Sequence, residues 1–386
     1  MTDLLEGATG VLALADGTIL QGIGVGATGE ALGEVVFNTA MTGYQEILTD
    51  PSYMSQILAF TFPHVGNVGV NVEDVEQATG GDSKTAAVGA VFRDLPTDEA
   101  NWRAESSLDQ WMKLRGVVGL SGVDTRALTA RIRDSGAPHG VIAHDPDGRF
   151  DLEALVARAR EWKGLVGLDL ARPASTLQAF DWDQGLWDWP EGYPRVQAAG
   201  KSVVVVDYGV KRNILRALAS TGARITVVPA STSAEDILAR NPDGVVLSNG
   251  PGDPAATGEY AVPEIRKLVD SGKPIFGICL GHQMLAIALG GRTVKMDQGH
   301  HGANHPVKDL TTGKVEIVSM NHGFTVDRET LPAPVQETHV SLFDGSNAGI
   351  ALKDRPVFSV QHHPEASPGP TDSLYLFQRF ADSMKR

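Results

Sequence analysis

Hydrophobic positions change rhythm twice along the chain. Over residues 1–170 they form short runs that read as half-buried strands: Val11–Leu14, Thr18–Gln21, Glu34–Asn38, Ile57–Phe62, Ala86–Phe92 and Val117–Leu120. The first two flank Ala15-Asp16-Gly17, a hairpin signal because Asp-Gly tolerates positive φ. Helical spacing appears at Ser107–Leu114, Thr125–Asp134 and Asp151–Trp162, and Asp124 is placed to cap the second. These patterns predict a smaller mixed α+β domain over 1–170, without an order for its strands.

Between Ala171 and Gly200 the pattern breaks down. Trp182, Trp187 and Trp189 stand among Pro173, Pro190 and Pro194. Bulky aromatics suit a packed surface better than a solvated tether, so 171–200 reads as a docked inter-domain linker. From Lys201 apolar strands alternate with helices: Ser202–Val206, Asn213–Ser220, Arg224–Val228, Ala234–Ala239, Gly244–Leu247, Val262–Val269, Pro274–Ile278 and His282–Leu289. Short strands apolar on both faces and joined by helices predict a parallel α/β sheet over 201–386. The later runs Thr293–Val307, Val315–Thr325, Gln336–Ser341, Gly349–Leu352 and Val357–Gln361 are strand-rich and extend or cap it.

Length agrees with more than one domain: 386 residues exceed the ~150 typical of one core. Hydrophobic residues make up 42% and charged residues 21%, which excludes disordered and fibrous classes. The net charge of −14 repels phosphate backbones and anionic lipid, so neither nucleic acid nor a membrane is expected as a partner. The acidic start Met1–Glu6 lacks the order of a secretory leader, and a single cysteine permits no internal disulfide. A cytoplasmic protein is expected.

Two motifs are decoys. Gly24-Val25-Gly26-Ala27-Thr28-Gly29 fits a dinucleotide fingerprint, but a strand-like Glu34–Phe37 follows where a helix is required. Gly200-Lys201-Ser202 lacks the earlier glycine of a phosphate loop, where Arg195 stands. No nucleotide cofactor is expected on this chain. His300, His301 and His305 lack acidic or Cys partners nearby, so no metal is expected either.

The one cysteine is better placed. In Gly277-Ile278-Cys279-Leu280-Gly281 an apolar strand runs into a helical pattern, and Cys279 occupies the joint of a G-x-nucleophile-x-G elbow. The positive end of the helix favours thiolate there, and the Leu280 N–H faces a developing oxyanion. A catalytic Cys needs a histidine to manage protons. The strand Val357–Gln361 ends at His362-His363-Pro364-Glu365. Proline after His363 favours extended geometry, which puts His363 and Glu365 on one side and lets Glu365 orient the imidazole. A second strand, Gly244–Leu247, ends in the rigid loop Ser248-Asn249-Gly250-Pro251-Gly252-Asp253, at the carboxyl edge where open sheets bind ligands. Met320–Phe324 reads as a further polar loop.

These residues resemble a known family. Gly277–Gln283, His363-Pro364-Glu365 and Ser248–Asp253 are similar to class I (triad) glutamine amidotransferases. The run Gly33–Tyr53, with Val206–Ile214 and Gly299–Gly302, resembles the small subunits of carbamoyl phosphate synthetases, and the likeness spans nearly the whole chain. It implies an α/β amidotransferase domain with Cys279 as nucleophile, His363 as acid/base and Glu365 as its orienter. It implies glutamine contacts from Ser52, Gly250, Gly252, Leu280, Gln283, Asn321, Gly323 and Phe324. His362 departs from the family, where glycine is commoner, and the spacing to Glu365 selects His363. The implied activity is hydrolysis of L-glutamine to glutamate and ammonia for a large subunit, which carries ATP and Mg and makes carbamoyl phosphate for arginine synthesis, pyrimidine synthesis or both. Alternatives are a subunit feeding GMP, anthranilate or CTP synthesis, and a stand-alone γ-glutamyl hydrolase.

Overall fold

A computed structural model describes residues 5–78, 86–197 and 200–384; most of the acidic start, 1–4, lies outside them. The chain divides into two compact units, 1–166 with 297–301, and 167–296 with 302–386.

The first unit is a closed barrel. Its strands are β1 (Gly10–Leu14), β2 (Ile19–Gly26), β3 (Gly29–Asn38), β4 (Gln56–Phe60), β5 (Gly89–Val91), β6 (Val118–Ser121) and β7 (His139–His144), in the order β1-β2-β6-β5-β4-β3-β7. β1 and β2 form the expected hairpin, with Gly17 at φ 95° and the Asp16 carboxylate accepting from the Thr18 N–H. The dinucleotide-like glycines make the β2–β3 turn, with Gly26 and Gly29 at positive φ and a strand, not a helix, beginning at Gly29. Among the described residues the barrel is accompanied by the helices α1 (Tyr44–Thr49), α2 (Leu108–Arg115), α3 (Thr125–Ser135) and α4 (Leu152–Glu161). Asp124 caps α3 by accepting from the Ala127 N–H. β1 is apolar throughout because both faces are covered. Leu12 and Leu14 pack inward with Val35, Ile57 and Ile142, while Val11 and Ala13 pack against Leu155 and Ala159 of α4.

The second unit holds α5 (Ala171–Ala174), β8 (Phe180–Trp182), β9 (Ser202–Asp207), α6 (Arg212–Ser220), β10 (Arg224–Pro229), α7 (Ala234–Ala239), β11 (Gly244–Leu247), α8 (Pro254–Asp270), β12 (Ile275–Ile278) and α9 (Leu280–Ala288). β13 (Arg292–Asp309), β14 (Val315–Asp327), β15 (Val335–Ser341), β16 (Asn347–Leu352), β17 (Val357–Val360) and α10 (Tyr375–Ser383) complete it. The sheet order is β14-β13-β15-β16-β17-β12-β11-β9-β10-β8. β17, β12, β11, β9 and β10 run parallel, and the helices between them supply the crossovers. Val203–Val206 are buried on both faces, as the continuous valine run requires.

Two expectations need correction. The 171–200 stretch is no separate linker: it belongs to the second unit, and its Phe180–Trp182 pairs antiparallel with β10 as the outermost strand. The buried Arg216 helps hold it down, donating to Gln184 Oε1 and stacking its guanidinium 3.5 Å from the Tyr193 ring centre. Met320–Phe324 is not a loop but the middle of β14, where strand geometry overrides the turn preferences of Asn-His-Gly. No helix among the described residues is long and apolar enough to cross a membrane.

Candidate active site

Everything that brings Cys279 forward is local backbone chemistry. β12 ends at Ile278 and α9 begins at Leu280, so one residue makes the turn. Cys279 adopts φ 52°, ψ −105°, a strained conformation for a residue with a side chain. Its N–H donates to the Val360 carbonyl of β17 at 2.9 Å, and its own carbonyl accepts from the Gln283 N–H at 3.1 Å. The flanking glycines are steric necessities. A Cβ on Gly281 would lie 2.2 Å from the Leu247 carbonyl oxygen, and one on Gly277 would lie 2.9 Å from that of Gly281. The thiol is buried, and its Sγ lies 3.5 Å from the Asn321 carbonyl oxygen of β14. Leu280 opens the helix, so its N–H has no acceptor within it.

β17 neighbours β12 in parallel, which carries the chain beyond β17 to the same sheet edge. There His363 Nδ1 meets Glu365 Oε1 at 2.7 Å, with both side chains buried. The backbone of His363 is pinned by its N–H donating to Ser319 of β14 at 2.9 Å. Among the described residues Nε2 has no partner of ordinary hydrogen-bond geometry, and the Cys279 sulfur is near enough to act on the ring electrostatically. Burial alone would lower the imidazole's proton affinity; Glu365 and Cys279 outweigh it and hold the pKa up at about 10.

Glu365 has a second partner that sequence reasoning did not assign. Lys211, buried just before α6, places its Nζ 3.0 Å from Glu365 Oε1 and 2.7 Å from the Ala366 carbonyl oxygen. Burial pushes the carboxyl up, but the Lys211 ammonium and then His363 prevail and hold it well below its ordinary range. Lys211 is itself set by its N–H donating to Asn249 Oδ1 at 3.1 Å, in the loop after β11. The available signal was a lysine at a strand's carboxyl end, directly before a helix.

The remaining expected residues are placed as follows. Gly250 and Gly252 follow β11, and both are glycines for packing reasons. A Cβ on Gly250 would lie 2.1 Å from the Tyr208 carbonyl oxygen; Gly252 has φ 92° and would meet the Leu168 carbonyl oxygen at 2.7 Å. Gln283 Nε2 donates to the Phe324 carbonyl at 2.7 Å and to Gln361 Oε1 at 2.9 Å. Asn321, Gly323 and Phe324 lie on β14, which meets Cys279 through Asn321 and Gln283 through Phe324. Ser52 belongs to the first unit, in the 3-10 turn Pro51–Tyr53, where its N–H donates to Asp50 Oδ1 at 2.9 Å. His362 points into a different environment from His363. It is fully buried, its ring lies 5.6 Å from that of His339, and neither nitrogen has a partner among the described residues.

The arrangement of thiol, imidazole, carboxylate and ammonium is that of a nucleophile served by an oriented base. Comparison with known proteins agrees with both halves of the chain. Residues 204–383 match the family described as glutamine amidotransferase class-I, and residues 12–142 match the carbamoyl-phosphate synthase small chain, CPSase domain. A protein of Caulobacter vibrioides named carbamoyl phosphate synthase small chain is 78% identical over 382 residues, covering 99% of this chain and 98% of its own. One of the same name from Mesorhizobium japonicum is 63% identical over 380 residues, covering 98% of this chain and 95% of its own. Among solved structures, a glutamine amidotransferase from Thermotoga maritima is 20% identical with a TM-score of 0.35, covering 43% of this chain and 76% of its own. The chain belongs to the carbamoyl phosphate synthase small-chain family.

Proposed function

We propose that Cys279 hydrolyses the side-chain amide of L-glutamine and that the ammonia passes to a large ATP-dependent subunit, which makes carbamoyl phosphate from bicarbonate. The observation that carries this reading is the buried His363–Glu365 contact beside the only thiol. Cys279 gives its proton to His363, and the thiolate attacks the amide carbon. A C–S bond forms and the carbonyl oxygen becomes an oxyanion. The N–H of Leu280 and those of the Gly250 loop stabilise it, each donor worth ~3 kcal/mol. His363 returns its proton to the leaving nitrogen, the C–N bond breaks, and ammonia departs from a γ-glutamyl thioester. Water deprotonated by His363 then attacks, the C–S bond breaks, His363 passes the proton to the departing sulfur, and glutamate leaves the regenerated thiol. Glu365 holds one tautomer of His363 throughout and is held in turn by Lys211.

Gly252, Gln283, Asn321, Gly323 and Phe324 contact the substrate in this reading. ATP and Mg act on the large partner chain. Ammonia released into bulk water is protonated and loses its nucleophilicity, so direct delivery is what gives the hydrolysis its use. The match of residues 12–142 to the small-chain domain favours this over a stand-alone hydrolase. Cys279→Ser in the two-subunit enzyme is expected to abolish carbamoyl phosphate synthesis from glutamine and to spare synthesis from added ammonium. Loss of both activities, or of neither, refutes the assignment.

A further inference from the structure

The two side-chain amides beside the nucleophile are not free to choose their orientation. Gln283 stands in the first turn of α9, four residues after Cys279, and is buried. Its Nε2 spends one proton on the Phe324 carbonyl and the other on Gln361 Oε1. A primary amide has two N–H donors and one carbonyl, so the polar atom left to Gln283 is the acceptor Oε1. Phe324 presents a backbone carbonyl, which cannot flip. Reversing Gln283 would set two oxygens face to face, and reversing Gln361 would set two NH2 groups face to face. Gln361 is 0% exposed, and its N–H donates to the Ala348 carbonyl of β16 at 3.0 Å, so it is anchored from the sheet side.

We propose that Gln361 is a positioning residue for substrate recognition: by taking the second N–H of Gln283 it makes Gln283 meet the substrate as an acceptor only, selecting a substrate that brings an N–H donor, the α-ammonium of the bound amino acid. This rests on Gln283 touching glutamine, as in the proposed function. Without the acceptor on Gln361, one buried N–H of Gln283 has no partner, and the side chain gains a reason to leave its rotamer. Gln361 touches no reacting atom, so its loss should appear in substrate affinity and not in the chemical step.

The test is glutamine hydrolysis by the full chain, with glutaramate, which lacks the α-ammonium, as the comparison substrate. Gln361→Leu is expected to raise KM for glutamine about five- to tenfold with kcat within about twofold, and to narrow the preference for glutamine over glutaramate. Gln361→Glu, which restores an acceptor oxygen, should recover most of the lost affinity. In a Gln283→Ala background Gln361→Leu should add nothing, because its effect runs through Gln283. An unchanged KM, a fall in kcat at constant KM, or additive effects of the two substitutions would each overturn the inference. If Gln361→Leu does not fold, Gln361→Glu decides: KM within about twofold of the unsubstituted chain supports the role, and a tenfold rise overturns it. Failure of the unsubstituted chain to hydrolyse glutamine would strike the proposed function instead.

Discussion

At the scale of single residues, the site depends on charges that tolerate burial only in company. Lys211 and Glu365 have side chains 3% and 0% exposed, and each compensates the other. Removing one member of such a pair leaves an uncompensated charge, which costs about 3–5 kcal/mol. Lys211→Met should therefore lower the stability of the folded chain by that order, read from urea unfolding midpoints. It should also depress glutaminase activity, because Glu365 loses the partner that fixes its oxygen on His363. A variant with unchanged stability would mean that water replaces the ammonium. Cys279 and His363 could be picked out as candidates by reading the chain, since elbow glycines and a His-Pro-Glu ending are local signals. Lys211 and Gln361 could not be assigned that way. Their importance lies in partners that only the parallel sheet brings near, and neither residue type announces its partner.

At the scale of elements, the elbow between β12 and α9 has little room to yield. Gly281→Ala would drive a methyl group into the Leu247 backbone, where no flexible side chain can yield. We expect a loss of about 1–3 kcal/mol and a larger fractional loss of glutamine turnover, because relief of the clash shifts α9 and with it the sulfur. Unfolding midpoints and steady-state rates on the same preparation check both halves. The strands and helices from 202 to 289 were legible because their apolar runs are continuous and separated by turn residues; α7 and β11 match their expected bounds to the residue. β7 and α10 were not read. The apolar run of β7 is brief, and α10 follows a Pro- and Gly-rich stretch that masks the spacing of its buried Leu376, Phe377 and Phe380. The barrel order of the first unit was beyond any local pattern, since it joins β3 to β7 and β2 to β6 across long stretches of chain.

At the scale of the whole molecule, buried histidines set the response to pH. Burial lowers His282 to about 3 and His339 to about 4, and holds His362 well below its ordinary range. The unfolded chain protonates these groups as pH falls through 6.5, and the folded chain does not, so acid favours unfolding by up to ~1.4 kcal/mol per pH unit for each. His363 has the opposite sign: its raised affinity stabilises fully below pH 6.5, and that contribution is lost as pH rises towards about 10. The thermal midpoint should thus fall on both sides of neutrality. Just below pH 6.5 the histidines dominate, because ordinary carboxylates are still charged there. A flat midpoint in that range would contradict the closed, unprotonated state of the three rings. The lone thiol has one more consequence. No second thiol exists on this chain to condense with a sulfenic acid, so under the proposed mechanism an oxidant that reaches Cys279 silences the enzyme with no internal rescue, and repair must come from an outside reductant before the damage passes to sulfinic acid.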